Sequence, residues 1–129
     1  MGDAAAGTQN ILMLKVLPEG DDPTAVKFAK AFEQRFPDLA RQGRPTDLGD
    51  VLGYGGAQVF IEALKRAGPG LTQQALVKAL ESLKDFENPL ILPTTLSPTR
   101  HEGNQSARVV QVQTDLSRKI LNFDCSRSA

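Results

Sequence analysis

The stretch DLGDVLGYGGAQVFIEALKRAG, residues 47–68, decides how this chain is read. Its second half, from Ala57 to Ala67, is a strong helix former, yet Gly49, Gly53, Gly55 and Gly56 crowd its first half. A glycine in a helix interior costs about 1 kcal/mol relative to alanine, so four of them need a reason. Leu48, Leu52, Gly56, Val59, Phe60, Ala63, Leu64 and Ala67 recur at helical spacing and predict one buried face. Gly68 is placed to end the helix.

Two more helices flank this one. DDPT (21–24) announces the first: Asp21 or Asp22 can cap it and Pro23 suits its first turn. Ala25, Phe28, Ala29, Phe32 and Phe36 then form one apolar face, and Pro37 stops the helix, giving a range near 22–36. The third runs near 72–84, with Thr72 as cap, a Leu71–Leu76 staple and a stripe of Leu76, Ala79, Leu80 and Leu83. Strand signals lie outside this block. ILMLKVLP (11–18) reads as a mostly buried strand, and PLILP (89–93), bracketed by prolines, as a crossing segment. ARVVQVQ (107–113) and RKILNF (118–123) can pair across a turn at Thr114–Ser117. The order is β, three α, then short β pieces, so the fold class is α/β with most of the sheet missing. Parallel sheets are built from repeated crossovers, and none is seen.

The totals fit one soluble domain of 129 residues at most, 40% apolar and 23% charged. Fifteen basic residues balance fifteen acidic ones, which leaves no footprint for nucleic acid or an anionic membrane. The opening MGDAAAGTQN lacks a basic segment followed by a hydrophobic one, so no signal peptide is expected within it. Cys125, alone and in a polar tail at 124–129, has no disulfide partner and is expected to be inert.

No catalytic or metal site is expected. His101 stands in a polar loop with Glu102 and Gly103, without a second His or Cys to complete a zinc set. GYGG fails as a dinucleotide loop, because the third glycine position falls on Gln58 and no clear strand precedes it. Asp21, Asp22, Asp47 and Asp50 are explained as caps and first-turn charges that complement the helix dipole. No cofactor is implied.

At LGYGGAQVFIEALKRAG the chain resembles the helix of extracellular ligand-binding proteins that serve ABC importers for leucine, isoleucine, valine and related small molecules. AAAGTQNILMLKVLPEGDDPTAVKFAKAFEQRFPD, LTQQALVKALESLKDFENPL and LSPTRHEGNQSARVVQVQ resemble that family's flanking stretches, in the same order. The resemblance covers nearly all of this chain and about the last third of a family member. It implies a partial type I periplasmic-binding lobe, a single partial domain in which 11–18 and 89–97 cross between lobes. It also implies an amino-acid-like ligand, a membrane permease as partner and a periplasmic or extracellular location; a ligand-sensing regulatory domain of the same fold is the alternative.

By the same resemblance the N-terminal end of the glycine-rich helix faces the cleft and packs closely on its neighbours. Glycines allow such backbone approach, here expected over Gly53–Ala57. Tyr54 matches the family's tyrosine, while the usual Asp-Ala after it is Gly55-Gly56. Tyr54 and Asp50 are therefore the candidate ligand-binding residues, with simple packing and dipole compensation as their competing roles. An incomplete lobe leaves Phe28, Phe32, Leu52, Val59, Phe60, Leu76 and Leu80 partly uncovered and strands 11–17 and 107–113 with open edges. A homodimer or strand-exchanged assembly is the expected consequence; a compact monomer would instead require the terminal strands to pair with one another over the helices, closing a small sheet of three or four strands.

Overall fold

Asp22 rather than Asp21 opens the first helix. Its carboxylate accepts from the Thr24 amide at 2.7 Å, Pro23 takes the first turn, and α1 runs Pro23–Arg35. Pro37 stops α1 and, having no amide hydrogen to satisfy, also starts a short helix α2, Pro37–Arg41. The glycine-rich helix α3 spans Leu48–Ala67 behind a capping box formed by Asp47 and Asp50. Thr72 caps α4, which covers Gln73–Glu81. It ends three residues before the expected bound at 84, because Ser82 caps it and the chain turns to bury Leu83. These elements belong to a computed structural model that describes residues 5–18, 20–43 and 46–126, with only the backbone described over 122–126.

Three strands make one antiparallel sheet in the order β1 (Gln9–Leu12), β2 (Ser106–Val112), β3 (Arg118–Ser126). Gln9 pairs with Gln111 and Val112 with Arg118. The β2–β3 turn lies at 114–117 as the sequence predicts, with Leu116 in the left-handed region at φ 67°. Two expectations change here. The strand at 106–112 is the centre of the sheet and not an edge; among the described residues β1 and β3 are the edges. Residues 124–126, read as tail, continue β3, with Cys125 opposite Ala107, while 127–129 lie outside the described residues.

The predicted strand 11–18 is regular only to Leu12. Beyond it, Lys15 donates to the Leu90 carbonyl at 2.8 Å and Leu92 to that of Met13 at 3.1 Å, so residues 13–15 run antiparallel to 90–92. A core forms where this pair meets the helices: Leu14, Val16, Ala25, Val51, Leu90 and Ile91, with Phe28, Leu48 and Val59 against it.

That core corrects the predicted face of α3. Its fully covered residues are Val51, Gly55 and Ala63, whereas Leu52 and Phe60 stay 44% and 48% exposed and Gly56 meets open space. At 100° per residue the buried stripe is rotated by roughly 70° from the expected one. The reason is Ile91: its side chain occupies the notch that Gly55, with no side chain of its own, leaves in the helix.

Candidate functional site

Four rings run in a row across the surface where α1 meets the start of α3. Tyr54 lies 5.1 Å from Phe28, Phe28 6.2 Å from Phe32, and Phe32 4.9 Å from Phe36, centroid to centroid and all tilted. Phe28 and Phe32 stand one turn apart on α1, and Phe36 is its C-cap. The row does not close into a core. It walls a cleft of about 580 Å³ that Pro89 and Leu90 also line. Lys27 and Arg35 also line it; the Arg35 guanidinium lies 5.6 Å over the Phe36 ring.

The two candidate residues part company. Tyr54 lines the cleft and is 46% exposed, its ring leaning on Phe28. Asp50 does not line it. Its carboxylate accepts from the Asp47 amide at 3.0 Å, while Asp47 accepts from the Asp50 amide at 2.9 Å. Both acids also sit at the positive end of the helix dipole.

The close approach expected over Gly53–Ala57 is confined to one residue. Nothing lies within 4 Å of where a Cβ would stand on Gly53 or Gly56, so neither packs against another backbone. At Gly55 that Cβ would be 2.5 Å from Ile91 Cγ2. The approaching group is the Ile91 side chain, from the segment that pairs with residues 13–15. Close approach through lack of a Cβ is the right principle, applied one residue away from where the face was drawn.

What fixes residues 90–92 against α3 is a residue that sequence reasoning passed over. Asn88 is 2% exposed. Its Oδ1 accepts from the Leu90 and Ile91 amides at 2.8 and 3.2 Å, and its Nδ2 donates to the Gly55 carbonyl at 3.4 Å. The available signal was the Asn-Pro pair at 88–89, a turn initiator whose side chain can bind its own backbone two residues on.

His101 lies in an exposed loop as read, and its ring nitrogen meets Glu81 at 3.1 Å near the end of α4. Among the described residues no group of three or more His, Cys, Asp or Glu could hold a metal ion. No helix there is long and apolar enough to cross a membrane.

Four helices, a three-stranded antiparallel sheet and the antiparallel run of 13–15 with 90–92 make a partial periplasmic-binding lobe of the α/β class. The chain belongs to the periplasmic binding protein family, whose model matches residues 1–117. That is a family of binding proteins and not of enzymes. Three solved structures share the fold. A possible leucine/isoleucine/valine-binding protein from Rhodopirellula baltica SH 1 matches at 23% identity and a TM-score of 0.71, over 93% of this chain and 31% of its own. A fatty acid ABC transporter substrate-binding protein from Thermomonospora curvata matches at 22% and 0.69, over 92% and 30%. A branched chain amino acid ABC transporter from Thermus thermophilus with bound valine matches at 15% and 0.73, over 98% and 35%. The chain thus spans about a third of the length of the structures it matches. No curated protein matches it in sequence.

Proposed function

We propose that the chain is part of the substrate-binding component of an ABC importer for branched-chain amino acids or related small molecules, corresponding to the C-terminal segment of such a protein. The family match over residues 1–117 carries this reading. In it the ligand is a small amino-acid-like molecule, the protein partner is the membrane permease, and the location is periplasmic or extracellular. Residues 11–18 and 89–97 cross between lobes. Tyr54, half-exposed beside the crossing segment, is offered as a ligand wall. Asp50, the other candidate, holds the start of α3, the helix that carries Tyr54, through the capping box with Asp47. The role is binding without turnover.

The test is a thermal-shift series on the product of the whole gene, with leucine, isoleucine and valine. A ligand present at about a hundred times its Kd adds roughly 2.7 kcal/mol of stability, a shift easily read. Tyr54→Ala should remove the shift, and Asp50→Asn should lower the baseline Tm while leaving it in place. Absence of any shift with these amino acids would sink the ligand assignment. By contrast, calorimetry on this chain alone should show no heat with leucine or valine. A two-lobed site gains affinity by burying most of its ligand between walls, and one partial wall does not. Assembly is also part of the proposal: the edges β1 and β3 and the exposed Leu52 and Phe60 favour association of copies. Light scattering that gives a clean 13.9 kDa monomer would end that part.

A further inference from the structure

Among the described residues the helices pack on one another, α1 with α2 and α3 with α4, and the strands on one another, with none of the four helices laid across the sheet. The chain itself joins the two bodies after Leu12, and so does a side chain of β2. Arg108 stands opposite Leu12 in the sheet. Its Nη1 donates at 2.6 Å to the carbonyl of Lys15, further along the chain that leaves β1. The β2–β3 register slips beside this residue: Arg108 faces Asp124, yet Val110 faces Ile120. Such a bulge bends the sheet locally and re-aims a side chain. Lys15 is held from the other side as well. Its amide donates to the Leu90 carbonyl at 2.8 Å, and its ammonium pairs with Glu87.

From Leu90 the connection runs on to the aromatic row. Asn88 Oδ1 accepts from the Leu90 amide at 2.8 Å, and its Nδ2 donates to the Gly55 carbonyl at 3.4 Å, while Ile91 fills the Gly55 notch. Tyr54 precedes Gly55, and its ring rests 5.1 Å from that of Phe28. We propose that Arg108 and Asn88 are positioning residues for Tyr54. They tie the sheet to the start of α3 through the backbone of Lys15 and Leu90, so the angle of the sheet sets the placement of the tyrosine ring. Coupling between separated groups is carried by contiguous bonded and packed neighbours of this kind. The charged donor makes the Arg108 link a strong one. What the relay does for function rests on the reading of Tyr54 as a ligand wall: whatever turns the sheet then changes the wall that a ligand meets. The relay itself concerns this chain alone.

Tyr54 is the only tyrosine, so its ring resonances are assigned by composition, and their shift depends on the distance and tilt of the Phe28 ring. Arg108→Met keeps the stem and removes the guanidinium. It should move the Tyr54 ring signals of the intact chain, whereas Lys119→Met, at an exposed position on β3, should not. Arg108→Lys restores a charged donor and should bring the signals part of the way back. Asn88→Ala should move them too, and adding Arg108→Met to it should then change nothing more, as for two groups on one path. Each variant is first checked for its fold by far-UV circular dichroism. If Arg108→Met fails to fold, Arg108→Gln takes its place. If Asn88→Ala fails, Asn88→Ser does, whose hydroxyl can still accept from the Leu90 amide but is too short for Gly55. The proposal is overturned if Arg108→Met leaves Tyr54 unmoved, if Lys119→Met moves it equally, or if Arg108→Lys behaves as Arg108→Met. It is overturned as well if the effects of Arg108→Met and Asn88→Ala add. No ligand enters the experiment, so its failure leaves amino-acid binding by the longer protein untouched, and absence of amino-acid binding leaves the relay standing.

Discussion

Gly55 and Gly56 are neighbours in α3, and a methyl group added to one or the other has opposite consequences. On Gly55 it would meet Ile91 at 2.5 Å. Overpacking of this kind typically costs 1–3 kcal/mol, more than the roughly 1 kcal/mol of helix propensity that alanine returns. Gly55→Ala should therefore lower stability in a urea melt, while Gly53→Ala and Gly56→Ala, in open space, should each raise it by up to about 1 kcal/mol. Equal effects at the three positions would refute the notch at Ile91. Asn88→Ala removes the acceptor of two buried amides and the donor to Gly55, and a loss of about 1–3 kcal/mol is expected on the same melt. At the tip of the β2–β3 turn, Leu116 holds a left-handed conformation that penalises a side chain by roughly 1–2 kcal/mol. Leu116→Gly should raise Tm, in part offset by the greater entropy of the unfolded glycine.

Asp115 in the same turn accepts from the Ser117 hydroxyl at 2.6 Å and the Ser117 amide at 3.0 Å. The hydroxyl first and then the amide hold its carboxyl below the ordinary value of 3.8. The folded turn thus binds this proton less readily than the unfolded chain does. Its contribution is full above the ordinary carboxylate range and is lost as pH falls through the folded value. Amide exchange or NMR shifts at Ser117 should show the turn loosening only on the acid side, and Asp115→Asn should abolish that dependence.

At the scale of elements, the ends of the helices were easier to read than their faces. Pro23, Thr72 and Gly68 act through local chemistry that any nearby sequence leaves intact, and each stands where it was expected. Thr72→Ala should accordingly cost about 1 kcal/mol, checked by thermal melt, because the Ala75 amide loses its acceptor. The buried face of α3 depends instead on which neighbour arrives. Glycine counts as apolar in a periodicity argument yet presents no side chain, so Gly55 and Gly56 were indistinguishable until Ile91 supplied the partner. The apolar face of α1 was read correctly as a pattern and only in part as a core, since Phe28 and Phe32 stay half-buried and Phe36 is exposed. Those same rings make the cleft. A hydrophobic stripe predicts that something apolar covers it; it does not say whether that is protein or ligand.

For the molecule as a whole, the sequence showed that the sheet is small and the element order is β, then helices, then β. The pairing of β1 with β2 was the alternative to association of copies, a small sheet of three or four strands closed by the terminal strands, and it was not the favoured reading because nothing local to either strand marks the other. That pairing has a consequence in time. Gln9 waits for Gln111, across almost the entire chain, whereas α3 and α4 are joined by a short turn. Closing so long a loop costs entropy before any contact is gained, and such topologies order late. During synthesis the helices can consolidate while β1 remains without its partner strand until residues 106–112 have left the ribosome. Of the three described strands β1 then waits longest for its partner, and its four residues are the part of the nascent chain for which another protein's strand could compete.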